Sequence, residues 1–189
     1  SGRLLTGSDM VKAMQGKQIL VTEIDIVDAR TLQQLPDLRV VAACRGNAVN
    51  IDVDACTAFG VPVISAPGRN AVAVADITVA FILAQARKLT AAAQFLKDES
   101  VTAGNMGKMG QAFGSLQGNE LWRKTIGLVG LGAVGRMVAE RLTGFGARLI
   151  AADPFATPES AALAGVELVS LNSLLQQSDF VSLHAAVTP

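Results

Sequence analysis

Thr125–Asp153 reads TIGLVGLGAVGRMVAERLTGFGARLIAAD. Ile126-Gly127-Leu128-Val129 is a short bounded apolar run, the pattern of a buried parallel strand. Gly130-Leu131-Gly132-Ala133-Val134-Gly135 then spells G-x-G-x-x-G. Val134, Val138, Leu142 and Phe145 recur at spacings of three and four and predict a helix, which Gly144 and Gly146 punctuate. A second apolar run, Leu149-Ile150-Ala151-Ala152, ends on Asp153. Strand, glycine turn, helix, strand and terminal acid together make a βαβ unit with a dinucleotide fingerprint in its first turn.

Each residue type has a physical task there. Gly130 permits the tight turn out of the strand, Gly132 lets a pyrophosphate approach the backbone, and Gly135 lets the helix lie close to the sheet. The first N–H groups of the helix have no intrahelical partner and present the positive end of its dipole to phosphate. Asp153 stands 18 residues after Gly135, at the second strand end, where a carboxylate accepts from ribose hydroxyls and repels a 2′-phosphate. NAD is therefore expected in preference to NADP.

Working outward, half of the residues are hydrophobic and the formal net charge is zero. That composition predicts a well-buried α/β core and leaves no electrostatic footprint for nucleic acid or an anionic membrane. Cys44 and Cys56 are too few and too poorly spaced for a disulfide framework or a zinc site, so reduced thiols and a cytoplasmic location are expected. Ala71–Ala86 is the most apolar long stretch, but Asp76 interrupts it and it is too short to span a bilayer. No signal peptide is visible, and Ser1-Gly2 reads as a processing remnant or an internal start.

Before the fingerprint, strand and helix patterns alternate. Helices are expected over residues 5–16, with Ser8 or Asp9 at the start, over Asp28–Leu35, and over Asp52–Phe59 with Asp52 as N-cap. Strands are expected at Gln18–Thr22, Arg39–Cys44 and Val61–Ser65. Ala71–Leu89 reads as a long apolar helix linking two lobes. Residues 98–120 carry Gly104, Gly107, Gly110, Gly114 and Gly118 and read as a mobile loop or arm. After the fingerprint come a helix at 158–164, a strand at Glu167–Val169, a helix at Leu171–Gln177 and a strand at Asp179–His184.

Several segments together resemble the D-isomer-specific 2-hydroxyacid dehydrogenases, on the phosphoglycerate-dehydrogenase-like branch. They are Asn50-Ile51-Asp52, Gly60-Val61-Pro62-Val63, Ala66-Pro67-Gly68-Arg69-Asn70, Ala84–Arg87, Gly118–Leu121, the fingerprint, Ala152-Asp153-Pro154 and Asp179–His184. The resemblance implies an α/β protein: a doubly wound parallel sheet (a Rossmann cofactor domain) with part of a flavodoxin-like substrate-binding domain. The division expected is 1–70 for the substrate lobe and 71–189 for the cofactor lobe, with 71–89 as the helix between them.

By position, the resemblance implies that Arg45-Gly46-Asn47 hold the substrate carboxylate through backbone N–H groups, Gly46 also approaching the nicotinamide. Val74 lines the nicotinamide pocket. Ala133 and Val134 present N–H groups to the pyrophosphate between Gly130, Gly132 and Gly135, and Asp153 meets the ribose. His184, Ala185 and Ala186 wall the adenosine side, Ala186 standing where the family has Pro. Arg45 reads equally as a solvated loop cation. His184, the only histidine, reads as structural or as cofactor wall rather than as the catalytic base.

In the family, an Arg orients the substrate, and a His paired with a Glu takes the hydroxyl proton while hydride leaves for NAD. All three lie downstream of the segment matched by the end of this chain, so no catalytic residue is assigned here. The chain reads as an internal fragment of a protein of ~300 residues or more. The expected function is NAD-dependent oxidation of the CH–OH group of a D-2-hydroxy acid, with a 2-hydroxy or 2-oxo acid as the small-molecule partner and no metal. An NAD-sensing corepressor of the same fold is the alternative. An S-adenosylmethionine-binding protein would fit Asp153 but not the landmarks before Gly118. The apolar Ala71–Leu89 helix and Phe95-Leu96 predict a homodimer.

Overall fold

The computed structural model describes residues 4–185, which divide into two compact units, the first ending at Asn70 and the second beginning at Ala71.

In the first unit α1 (Gly7–Met14), β1 (Ile19–Thr22), α2 (Ala29–Gln33), β2 (Val40–Ala43), α3 (Val53–Ala58) and β3 (Val63–Ser65) alternate along the chain. The strands form a parallel sheet in the order β1-β2-β3, with Val41 beside both Leu20 and Val63. Met10, Val27, Leu32, Val41 and Cys56 pack its core. Carboxylates start two of the helices: Asp28 accepts from the Thr31 N–H at 2.8 Å and Asp52 from the Ala55 N–H at 2.9 Å. The first helix departs from expectation. Thr6, not Ser8 or Asp9, is its N-cap, with no side-chain bond, and Asp9 lies inside the first turn, where its charge meets the positive helix end.

The second unit opens with helices: α4 (Ala71–Ala86), α5 (Leu89–Phe95) and α6 (Met106–Ser115). The long helix stops at Ala86 rather than Leu89, because Lys88 turns left-handed at φ 52° and α5 starts anew. A distant segment secures this end: the Asn119 N–H donates to the Ala86 carbonyl at 2.7 Å. Gly118 passes so close that a Cβ on it would sit 2.5 Å from that same oxygen. The glycine-rich stretch 98–120, expected as a loop or arm, contains the helix α6. Asn105 caps it by accepting from the Lys108 N–H, and Lys108 pairs with Asp98 at 2.5 Å. Cap and ion pair hold a helix that its glycines disfavour, and none of its residues is buried.

Next come β4 (Thr125–Val129), α7 (Ala133–Thr143), β5 (Arg148–Ala152), α8 (Pro158–Ala162), β6 (Glu167–Leu168), α9 (Leu171–Gln177) and β7 (Phe180–Leu183). These strands are parallel in the order β6-β5-β4-β7, the first four positions of a doubly wound sheet. Ile126 and Leu128 on β4 are fully buried, as are Val138, Ala139 and Leu142 on α7. Phe145 of the expected apolar stripe lies past the helix end and is partly exposed. Among the described residues β7 pairs with β4 alone, which leaves its other edge open.

Candidate functional site

The glycine turn lies between β4 and α7, at the carboxyl ends of the parallel strands, where doubly wound sheets bind ligands. Gly130 has φ 97°, and a Cβ there would lie 2.8 Å from the Ala185 nitrogen and the His184 carbonyl carbon. Both the turn and the close passage of the β7 end therefore require glycine. A Cβ on Gly135 would lie 2.3 Å from the Gly130 carbonyl oxygen, so helix and strand meet at backbone distance. Gly132 is different: nothing lies within 4 Å of its absent Cβ. The backbone there borders open space. Ala133 and Val134 follow it as the first residues of α7, whose N-terminus has no side-chain cap.

Asp153 is tied to this turn. One carboxylate oxygen accepts from the Leu131 N–H at 2.6 Å, and the other accepts from the Phe155 and Ala156 N–H groups at 2.7 and 3.1 Å. The Leu131 N–H holds the carboxyl below its ordinary range, against burial, with the other two amides and the charge of Arg136 adding to it. Asp153 is thus an anchored carboxylate at neutral pH. It shares a groove with Val129, Ala152, Pro154, Val169, Ser170 and Leu171. An apolar slot with one fixed acid, next to a glycine turn open to solvent and an uncapped helix end, fits the adenosine half and pyrophosphate of a dinucleotide.

Sequence reasoning missed Val169, Ser170 and Leu171, which enter because β6 lies beside β5. It also missed Arg136, whose Nε donates to the Leu131 carbonyl at 2.9 Å. The strand order could have pointed to the first group. The second follows from the path of one side chain and left no sequence signal.

His184, expected as the last strand residue, lies just past β7, which ends at Leu183, and donates its backbone N–H to the Val129 carbonyl at 2.7 Å. Its Nε2 is buried without a partner, and burial pushes the imidazole pKa below its ordinary value, so the ring is neutral at pH 7. Val74 and His184 line one groove with Thr78, Ile82 and Phe180. Ala185 follows, while Ala186 lies outside the described residues.

In the first unit, Arg45-Gly46-Asn47 form the loop leaving β2, again at a carboxyl strand end. The Ala66 N–H donates to the Arg45 carbonyl at 3.0 Å, and a Cβ on Gly46 would stand 3.2 Å from the Pro67 Cα. The loop after β3 therefore braces this one. Arg69 of that loop pairs with Glu23. No cluster of His, Cys, Asp or Glu suited to a metal occurs among the described residues, and none of their helices is long and apolar enough to cross a membrane.

Residues 79–189 match the family model described as "D-isomer specific 2-hydroxyacid dehydrogenase, NAD binding domain". D-3-phosphoglycerate dehydrogenase of Mycobacterium tuberculosis is 37% identical over 99% of this chain and 34% of its own length. A putative 2-hydroxyacid dehydrogenase of Bacillus subtilis is 34% identical over 97% of this chain and 52% of its own. The chain thus spans from about a third to about half the length of these curated relatives. Among solved structures, apo D-lactate dehydrogenase of Escherichia coli superposes with a TM-score of 0.80 at 28% identity, over 98% of this chain and 56% of that one. Pyruvate reductase of Chlamydomonas reinhardtii gives 0.79 at 30% identity, over 97% and 52%.

Proposed function

Since the chain belongs to the D-isomer specific 2-hydroxyacid dehydrogenase family and carries its NAD-binding domain, we propose that it holds NAD while the CH–OH group of a D-2-hydroxy acid is oxidised. One observation carries this reading: an anchored, ionised Asp153 beside a glycine turn whose Gly132 borders open space. Bound NAD would supply the hydride acceptor. The chain's own residues bind and orient it. Gly130, Gly132 and Gly135 shape the turn, and the Ala133 and Val134 N–H groups meet the pyrophosphate. Asp153 accepts from the ribose hydroxyls and selects NAD over NADP by repelling a 2′-phosphate.

Val74, His184, Ala185 and Ala186 are assigned to the walls of the cofactor site, and Gly46 to the nicotinamide. Arg45, Gly46 and Asn47 are assigned to the substrate carboxylate. No residue of this chain is assigned the proton transfer. Among the described residues His184 is neutral, its Nε2 has no partner, and no carboxylate acts on it to raise its basicity. A homodimer is proposed through the exposed apolar side chains of α4–α6, among them Phe81, Leu96 and Phe113. The free thiols of Cys44 and Cys56 support a cytoplasmic site of action.

The test is NADH formation by the full-length protein over a panel of D-2-hydroxy acids, beginning with D-3-phosphoglycerate and D-lactate. Turnover with NAD and not NADP is expected. Tight NAD binding without turnover on any acid would instead favour an NAD-sensing corepressor.

A further inference from the structure

Arg136 has no part in the fingerprint, yet it completes a clamp on it. Leu131 is held from both sides. Its N–H donates to the Asp153 carboxylate at 2.6 Å, and its carbonyl accepts from the Arg136 Nε at 2.9 Å. These two groups belong to successive peptide units. Asp153 secures the Gly130–Leu131 peptide, and Arg136 secures the Leu131–Gly132 peptide. The described residues contain no cis peptide. In a planar trans unit the carbonyl and the N–H point in opposite directions. Fixing the Leu131 oxygen therefore fixes the direction of the Gly132 N–H, at the residue that borders open space. Arg136 is itself anchored in the first turn of α7, where its N–H donates to the Gly132 carbonyl at 3.0 Å.

From this geometry we propose that Arg136 is a positioning residue of the cofactor site, holding the Gly132 N–H in the orientation that meets a dinucleotide pyrophosphate. The guanidinium acts on the ligand through the Leu131–Gly132 peptide and not by touching phosphate. A glycine turn is otherwise free to rotate this peptide, since Gly132 has no Cβ to restrict it. The clamp keeps the donor preorganised, so binding does not have to order it. Asp153 thereby has two tasks: its carboxylate faces the ribose position and also supplies the other half of the clamp.

The inference rests on the cofactor assignment above, and the experiment separates the two. Arg136→Met and Arg136→Gln are made in the full chain, and NAD, ADP-ribose and adenosine are titrated by calorimetry. Methionine removes the charge and the donor, whereas glutamine removes the charge but places its amide Nε2–H2 where the arginine Nε–H stands, in reach of the Leu131 carbonyl. The methionine variant is expected to bind NAD and ADP-ribose about five- to twentyfold more weakly, while adenosine affinity and the melting temperature stay within error, and glutamine is expected to recover most of the loss. Amide exchange without ligand should also quicken at Gly132 in the methionine variant and not in the glutamine variant. An equal loss of NAD affinity in both variants would show direct charge attraction to phosphate and overturn the positioning role. Unchanged NAD affinity in the methionine variant would overturn it as well, with the cofactor assignment intact. An unaltered chain that binds none of these ligands would sink the cofactor assignment and the clamp together.

Discussion

At the residue scale, Asp153 and His184 show how environment assigns a role. Asp153→Ala removes the acceptor for three backbone N–H groups as well as the proposed ribose partner. NAD affinity should fall about tenfold, equal to ~1.4 kcal/mol, and the preference over NADP should narrow, as titration with both nucleotides would show. Tighter NADP binding by the unaltered chain would contradict the assignment. His184 works in the opposite sense. Burial lowers its pKa below the ordinary 6.5. Between the lowered folded value and 6.5 the unfolded chain binds more protons, so stability rises with pH across that window and is lost as the pH falls through it. The urea midpoint should drop between pH 7.5 and pH 5.5, and His184→Gln should flatten that dependence. The ring is only half-buried, so the effect should stay within about 1 kcal/mol. An NMR titration of His184 at or above 6.5 would show the burial argument to be wrong.

At the element scale, the stretch between α4 and β4 departs most from its sequence reading. Its glycines argued for a loop, and the helix α6 forms because Asn105 caps it and the Asp98–Lys108 pair closes the turn before it. The result is a helix with no buried residue, carrying Met106, Met109 and Phe113 in solvent. Phe113 is 78% exposed, more than a lone surface aromatic needs to be. Phe113→Glu should convert a dimer at micromolar concentration into a monomer with little change in melting temperature. Sedimentation of the unaltered protein as a clean monomer would remove the basis for the dimer.

At the scale of the whole molecule, each unit carries its own core: Met10, Val27, Val41 and Cys56 in the first, Ile126, Leu128, Val138 and Leu142 in the second. The turn, Asp153 and the groove beside it all belong to the second unit. Residues 71–189 produced alone should therefore bind ADP-ribose within about threefold of the full chain. NAD should lose more, because the nicotinamide contact is assigned to Gly46 in the first unit. Equal losses for both ligands would mean that the first unit contributes nothing specific to the nicotinamide.

The sequence by itself determined the features that depend on local pattern. The β4–α7–β5 unit followed from strand and helix periodicities around G-x-G-x-x-G, and α9 matched its expected ends at Leu171 and Gln177. The Asp28 and Asp52 helix starts were legible because a short carboxylate can satisfy nearby orphan N–H groups. Asp153 was legible as the acid at a strand end. Only the tertiary structure decided what depends on residues far apart in the chain. Gly118 must be glycine because its backbone passes Ala86, and Gly130 partly because the end of β7 crosses it. Val169–Leu171 join the groove because β6 lies next to β5, and Arg136 reaches the Leu131 carbonyl because the turn folds back over the first turn of α7. Periodicity records which face of an element is buried, but not which distant backbone that face meets.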